Sequence, residues 1–143
     1  MVALTADRNT PEALGTEREG LLGAAQQIFI GSILMRNVAG HLIKGATALG
    51  SFGVGRAEKR GTSVGAGVTS QRYLLGVFRF ANSAAGDLIT IADIGTACYI
   101  VDDQTVAKTN GTGTRSPAGA VDGVDALGVW VRFDEARTRA LLS

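Results

Sequence analysis

The amino-acid sequence predicts an all-β fold, a small β-sandwich or barrel of short antiparallel strands with an extended N-terminal arm and a short C-terminal helix. Three observations carry this expectation. Glycine fills 20 of the 143 positions and charged residues only 19%, a balance foreign to helical bundles, where glycine is costly. Runs rich in β-branched and aromatic residues recur about every ten residues, with turn residues between them. A hydrophobic content of 45% with a net charge of +1 argues for a packed core rather than disorder. A chain of this length supports one modest core, so 26–143 reads as a single β-rich body and 1–25 as the arm.

Taken in order, the arm is polar, with Pro11 and Gly15 ahead of Thr16-Glu17-Arg18-Glu19. That tetrapeptide has the spacing of a capping box, but Gly20 and Gly23 leave any helix short and weak, and the segment reads rather as extended or disordered until something holds it. Gln27–Ile30 and Ser32–Met35 read as strands bent at Gly31. The stretch 36–72 holds short apolar pieces ending in glycine and reads either as strands or as one long ordered loop. Tyr73–Phe80 is apolar on both alternating faces as far as Arg79, the pattern of a strand buried on both sides. Strands are expected at Leu88–Ile91, Ala97–Val101 and Thr105–Thr109, followed by an Asn110-Gly111-Thr112-Gly113 turn. Ala118–Val124 and Gly128–Phe133 form the last hairpin, and Asp134 is a suitable N-cap for a helix in 134–143.

Charge is segregated although the total is small. Residues 1–35 carry a net −2, 36–72 a net +5 and 73–143 a net −2. The basic middle also holds eight of the glycines, from Gly40 to Gly67. Arg56, Lys59, Arg60 and Arg72 therefore form a candidate interface for an acidic protein surface. Direct nucleic-acid binding is not expected, because Phe52 and Tyr73 are the only aromatics near these cations and a base-stacking platform is lacking.

No catalytic residue, metal site or cofactor is expected. His41 and Cys98 are each the only residue of their type, too few soft ligands for a zinc site, and Cys98 sits in an apolar strand pattern as a buried small hydrophobe. No serine lies in a Gly-x-Ser-x-Gly elbow. The glycines from Gly45 to Gly55 lack the Lys-Ser/Thr of a phosphate loop and the frame of a dinucleotide fold. Asp102-Asp103 reads as a turn. The N-terminus has no apolar stretch of the kind a secretory signal needs, and Gly31, Ser32 and Lys44 interrupt the longest apolar runs, so no membrane span is expected. A single cysteine excludes an internal disulfide and suits synthesis in a reducing cytoplasm.

In the final strand Val129, Val131 and Phe133 share one face, and Trp130 and Arg132 the other. If the first three face the core, Trp130 and Arg132 face a neighbour; alternatively Trp130 is the core aromatic of a small barrel.

The run Gly86–Thr109, with Val101-Asp102-Asp103-Gln104-Thr105-Val106-Ala107 at its centre, and the run Ser116–Val131, with Gly123-Val124-Asp125-Ala126-Leu127-Gly128-Val129-Trp130-Val131, resemble the small capsid decoration proteins of tailed bacteriophages, also called cement or minor head proteins. The resemblance covers roughly the C-terminal half. It implies a non-enzymatic β body that binds the outer surface of the assembled head, with the major capsid protein and copies of itself as partners, often as a trimer. It also implies synthesis in the host cytoplasm. Alternatives are another virion subunit, of head completion or tail tube, and a carbohydrate- or surface-binding β-module.

Overall fold

A computed structural model describes residues 2–141, and the fold is all-β with one short helix. Met1 of the expected arm and Leu142 and Ser143 of the expected helical tail lie outside the described residues.

Residues 2–16 form no strand or helix and are exposed. The arm ends earlier than the sequence suggests. Glu17–Leu21 is strand β1, not a helix start, and it pairs antiparallel with β7 (Ser70–Leu74) from Glu17↔Leu74 to Leu21↔Ser70. Glu17, Glu19 and Leu21 face solvent while Arg18 and Gly20 turn inward, so this segment alternates with a period of two, and the strand ladder overrides the local capping signal. Leu22, next in the chain, is fully buried.

The stretch 36–72 resolves into strands. With β2 (Gln27–Ile28) and β3 (Ile33–Arg36) before them come β4 (Leu42–Lys44), β5 (Phe52–Ala57) and β6 (Gly61–Thr62), then β7. Tyr73–Phe80 is not one strand. It breaks at Leu75 into β7 and β8 (Gly76–Phe80), which belong to different sheets, with Gly76 at φ 133° where the chain crosses over. The doubly apolar pattern reflects two strands in succession, each burying a different face.

Leu88–Ile91 is not a strand either. Ala85–Asp87 and Ile91–Asp93 are single 3-10 turns, the second closed by reciprocal capping: the Thr90 hydroxyl accepts from the Ala92 N–H, and the Asp93 carboxylate accepts from the Thr90 N–H. Beyond it lie β9 (Ala97–Ile100), β10 (Val106–Ala107), β11 (Pro117–Asp125) and β12 (Gly128–Phe133). The hairpin of β11 and β12 stands where the sequence puts it, with a bulge between Val121 and Gly123. The helix α1 (Glu135–Ala140) is capped by Asp134, whose carboxylate accepts from the Arg137 N–H at 3.1 Å.

The strands build two five-stranded antiparallel sheets, ordered β1-β7-β5-β3-β4 and β10-β9-β11-β12-β8, with β2 and β6 as a separate pair. Two apolar clusters fill the body. One, of Phe80, Ile89, Cys98, Ile100, Val106, Val121, Val129, Val131 and Phe133, lines the second sheet and takes Ile33 and Met35 from β3. The other, of Leu22, Ile28, Leu34, Leu42, Phe52, Val54, Ala57 and Tyr73, lies on the opposite face of β3. Strand β3 therefore feeds both cores by simple alternation. Where β5 meets β11 the sheets touch backbone to backbone: a side chain at Gly53 would strike the Ala118 carbonyl, so only glycine permits the approach.

Candidate interaction surfaces

The six residues singled out by sequence separate into two places. Arg56, Lys59, Arg60 and Arg72 gather at one corner of the first sheet, built by the end of β5, the β5–β6 turn and β7. Backbone bonds fix the corner: the Glu58 N–H donates to the Arg72 carbonyl at 3.0 Å, and the buried Gln71 amide donates to the carbonyls of Lys59 and Arg72 at 2.8 and 3.0 Å.

The corner is less strongly basic than a residue count suggests. Arg56 pairs with Glu58 at 3.0 Å and lies over the Phe78 ring, and Arg72 pairs with Glu17 at 3.2 Å in a solvent-exposed contact. Among the described residues, Lys59 and Arg60 have no carboxylate within 4.0 Å. The Arg60 guanidinium instead rests 5.9 Å from the centroid of Phe29, which is half exposed beside the exposed Ile30. The result is an apolar tip, Phe29 and Ile30, with the Arg60 cation against it.

Trp130 and Arg132 sit on the outer face of the second sheet, opposite buried Val129, Val131 and Phe133. Trp130 is thus a surface residue and not the core aromatic of a barrel. Its indole N–H donates to the Asp125 carboxylate at 2.9 Å, and the Arg79 guanidinium lies 5.4 Å from the ring centroid while bridging to Asp125 at 3.6 Å. The Trp130 hydrogen bond, with further donors from the Leu127 and Gly128 backbone and the Arg79 charge, holds the Asp125 carboxyl below its ordinary 3.8. Arg132 donates to Asp122 through Nε at 3.1 Å. These contacts hold the Trp130 and Arg132 side chains in one arrangement on the sheet face.

Sequence reasoning names Trp130 and Arg132 but not Arg79, Asp122 and Asp125. Arg79 stands directly opposite Trp130 in the β8–β12 ladder, a neighbour visible only once non-adjacent strands are paired. The cue for Asp125 was local: it closes the hairpin as the partner of Gly128 and is five residues from Trp130.

A further polar cluster joins the helix to the first sheet. The Tyr73 hydroxyl donates to the Glu135 carboxylate, while Arg36 donates to Tyr73 Oη at 3.0 Å and lies 3.4 Å from Glu135. Burial, reinforced by the Glu135 carboxylate, pushes the Tyr73 phenol up to about 12. Its geometry is that of a clasp between α1 and the sheet. Cys98 is fully buried, with its thiol also pushed up to about 12 by burial.

No family model, curated protein or solved structure matches the chain.

Proposed function

We propose that the protein is a capsid decoration protein of a tailed bacteriophage, a non-enzymatic subunit that binds the outer surface of the assembled head as a homotrimer and reinforces it by protein–protein contacts. The observation that carries this reading is the N-terminal arm. Residues 2–16 are exposed throughout, form no strand or helix, and include Val2, Leu4 and Leu14, at 92%, 73% and 77% exposure. An apolar-bearing arm hung on a rigid body is suited to reaching a neighbouring subunit and becoming ordered there. The fixed Trp130 face and the cationic corner supply contact residues of the kinds that dominate protein interfaces. A carbohydrate-binding role is less well served, because Arg79 already occupies one face of the indole on which a sugar would stack.

The test is binding of the purified full chain to expanded empty heads, with its mass measured by light scattering. Saturable binding of a trimer, weakened when 2–16 are removed from a still-folded body, is the expected result. A monomer that does not bind would refute the reading.

A further inference from the structure

The two five-stranded sheets repeat one another. Taken in chain order and counted from the β1 edge, the strands β1, β3, β4, β5 and β7 lie across the first sheet as first, fourth, fifth, third and second; β8, β9, β10, β11 and β12, counted from the β8 edge, lie across the second in the same order. A shift of 64 residues, Gly31 to Gly95, carries one central ladder onto the other without a slip. The pairs Met35↔Ile43 and Arg36↔Leu42 become Tyr99↔Ala107 and Ile100↔Val106. Ile33↔Arg56, Leu34↔Gly55 and Met35↔Gly53 become Ala97↔Ala120, Cys98↔Gly119 and Tyr99↔Pro117, so the bulge at Val54 reappears at Ala118.

The strand entries repeat as well. Gly31 donates to the Ala57 carbonyl and Ala57 to that of Ser32, at 3.0 and 2.9 Å; Gly95 donates to Val121 and Val121 to Thr96, at 2.8 and 2.9 Å. Gly31 and Gly95 have φ of 90° and 93°. Packing alone requires agreement in none of these, so topology, register, bulge and turn together identify two copies of one unit.

With 30–57 laid on 94–121, four positions keep their residue: Ile30 and Ile94, Gly31 and Gly95, Lys44 and Lys108, Gly55 and Gly119. Backbone geometry accounts for both glycine pairs, the first by positive φ, the second because a side chain would strike the carbonyls of Leu74 and Arg132. The isoleucines have no such reason. They are 57% and 49% exposed, each at the tip of its corner. Their polar surroundings differ: Arg60 rests on Phe29, next to Ile30, whereas Lys108 is paired with Asp93, next to Ile94, so the isoleucine and its glycine are what the two corners share.

We propose that these two corners, Ile30-Gly31 and Ile94-Gly95, are equivalent contact points that seat on two equivalent apolar positions of one repeating protein partner. The proposal rests on the decoration reading above, in which the partner is a shell built from many copies of one subunit. A chain with two copies of the same tip suits a surface that offers the same seat at regular intervals, and engaging both multiplies the affinity of either.

The experiment measures binding of the full chain to expanded empty heads for the parent, I30D, I94D and the double variant, with the milder I30S and I94S alongside. Melting curves confirm that each variant is folded. We expect each single aspartate to weaken binding about tenfold and by similar factors, and the pair about a hundredfold. A parent that binds while the folded single variants bind equally well overturns the contact points alone. So does a loss confined to one corner. A parent that does not bind overturns the decoration reading and the contact points with it.

Discussion

Alanine substitutions at Gly55, Gly119 and Gly65 have opposite expected signs, decided by what a new Cβ would meet. At Gly55 it would strike the Leu74 carbonyl, and at Gly119 the Arg132 carbonyl, each on a hydrogen-bonded neighbouring strand that cannot move aside without disturbing its ladder. Overpacking against a fixed neighbour costs about 1–3 kcal/mol. For a domain of this size each kcal/mol moves Tm by about 2–4 °C, so Gly55→Ala and Gly119→Ala should each lower Tm by roughly 2–12 °C. Gly65 lies at an ordinary φ with open space around it. There alanine restricts only the unfolded chain, and a rise of about 1–4 °C is expected. Thermal unfolding followed by circular dichroism reads all three. If Gly55→Ala and Gly119→Ala melt within about 1 °C of the parent, the close strand approach, and the reason those two glycines coincide, is wrong.

Three further outcomes follow from individual contacts. Cys98, the only cysteine, should resist a thiol reagent in the native protein and react with one equivalent in denaturant, given its burial and raised pKa. Trp130 is the only tryptophan, so its fluorescence isolates the bond to Asp125. Because the folded carboxyl is held below 3.8, that bond should survive as pH falls through 3.8 and be lost only below it, and Asp125→Asn should remove the transition. Tyr73 titrates in the opposite sense: its raised folded pKa means stability is fully present below pH 10 and falls as pH climbs toward about 12. Tyr73→Phe should lose that part of the alkaline drop and, at neutral pH, about 1 kcal/mol in denaturant unfolding from the broken clasp to α1.

What could be read from sequence was what neighbouring residues determine together. Val129, Val131 and Phe133 alternate with Trp130 and Arg132, and the structure keeps that division; Asp134 caps α1; Asn110–Gly113 is a turn with Gly111, Thr112 and Gly113 at positive φ. What escaped depended on partners far along the chain. Thr16–Glu19 fits a capping box until β7 pairs with it, and Tyr73–Phe80 reads as one doubly buried strand until its halves join separate sheets. The repeat stayed hidden because four retained residues across 30–57 are too few to stand out, although they include the glycines that hold the shared backbone path. Of the candidate interface, the positions of the charges were legible and their neutralisation was not, since Glu17 meets Arg72 only across the β1–β7 ladder.

Closure of the sheets narrows the ways in which another protein can attach. A sheet edge with free N–H and C=O groups invites strand addition, and natural β proteins shorten or cover such edges. Here two of the four edge strands, β4 and β10, are only three and two residues long. Each is also engaged by the chain that follows its sheet's first strand: Leu22 bridges Leu42 with Gly23 donating to the Leu42 carbonyl at 2.8 Å, and Ala81 bridges Thr105 while accepting from Val106 at 3.0 Å. Both units use the same device. With those edges occupied, contact at these sides must come from side chains on rigid corners and from the arm rather than from an added strand, which is why the exposed isoleucines, the clamped tryptophan and residues 2–16 are the places to perturb.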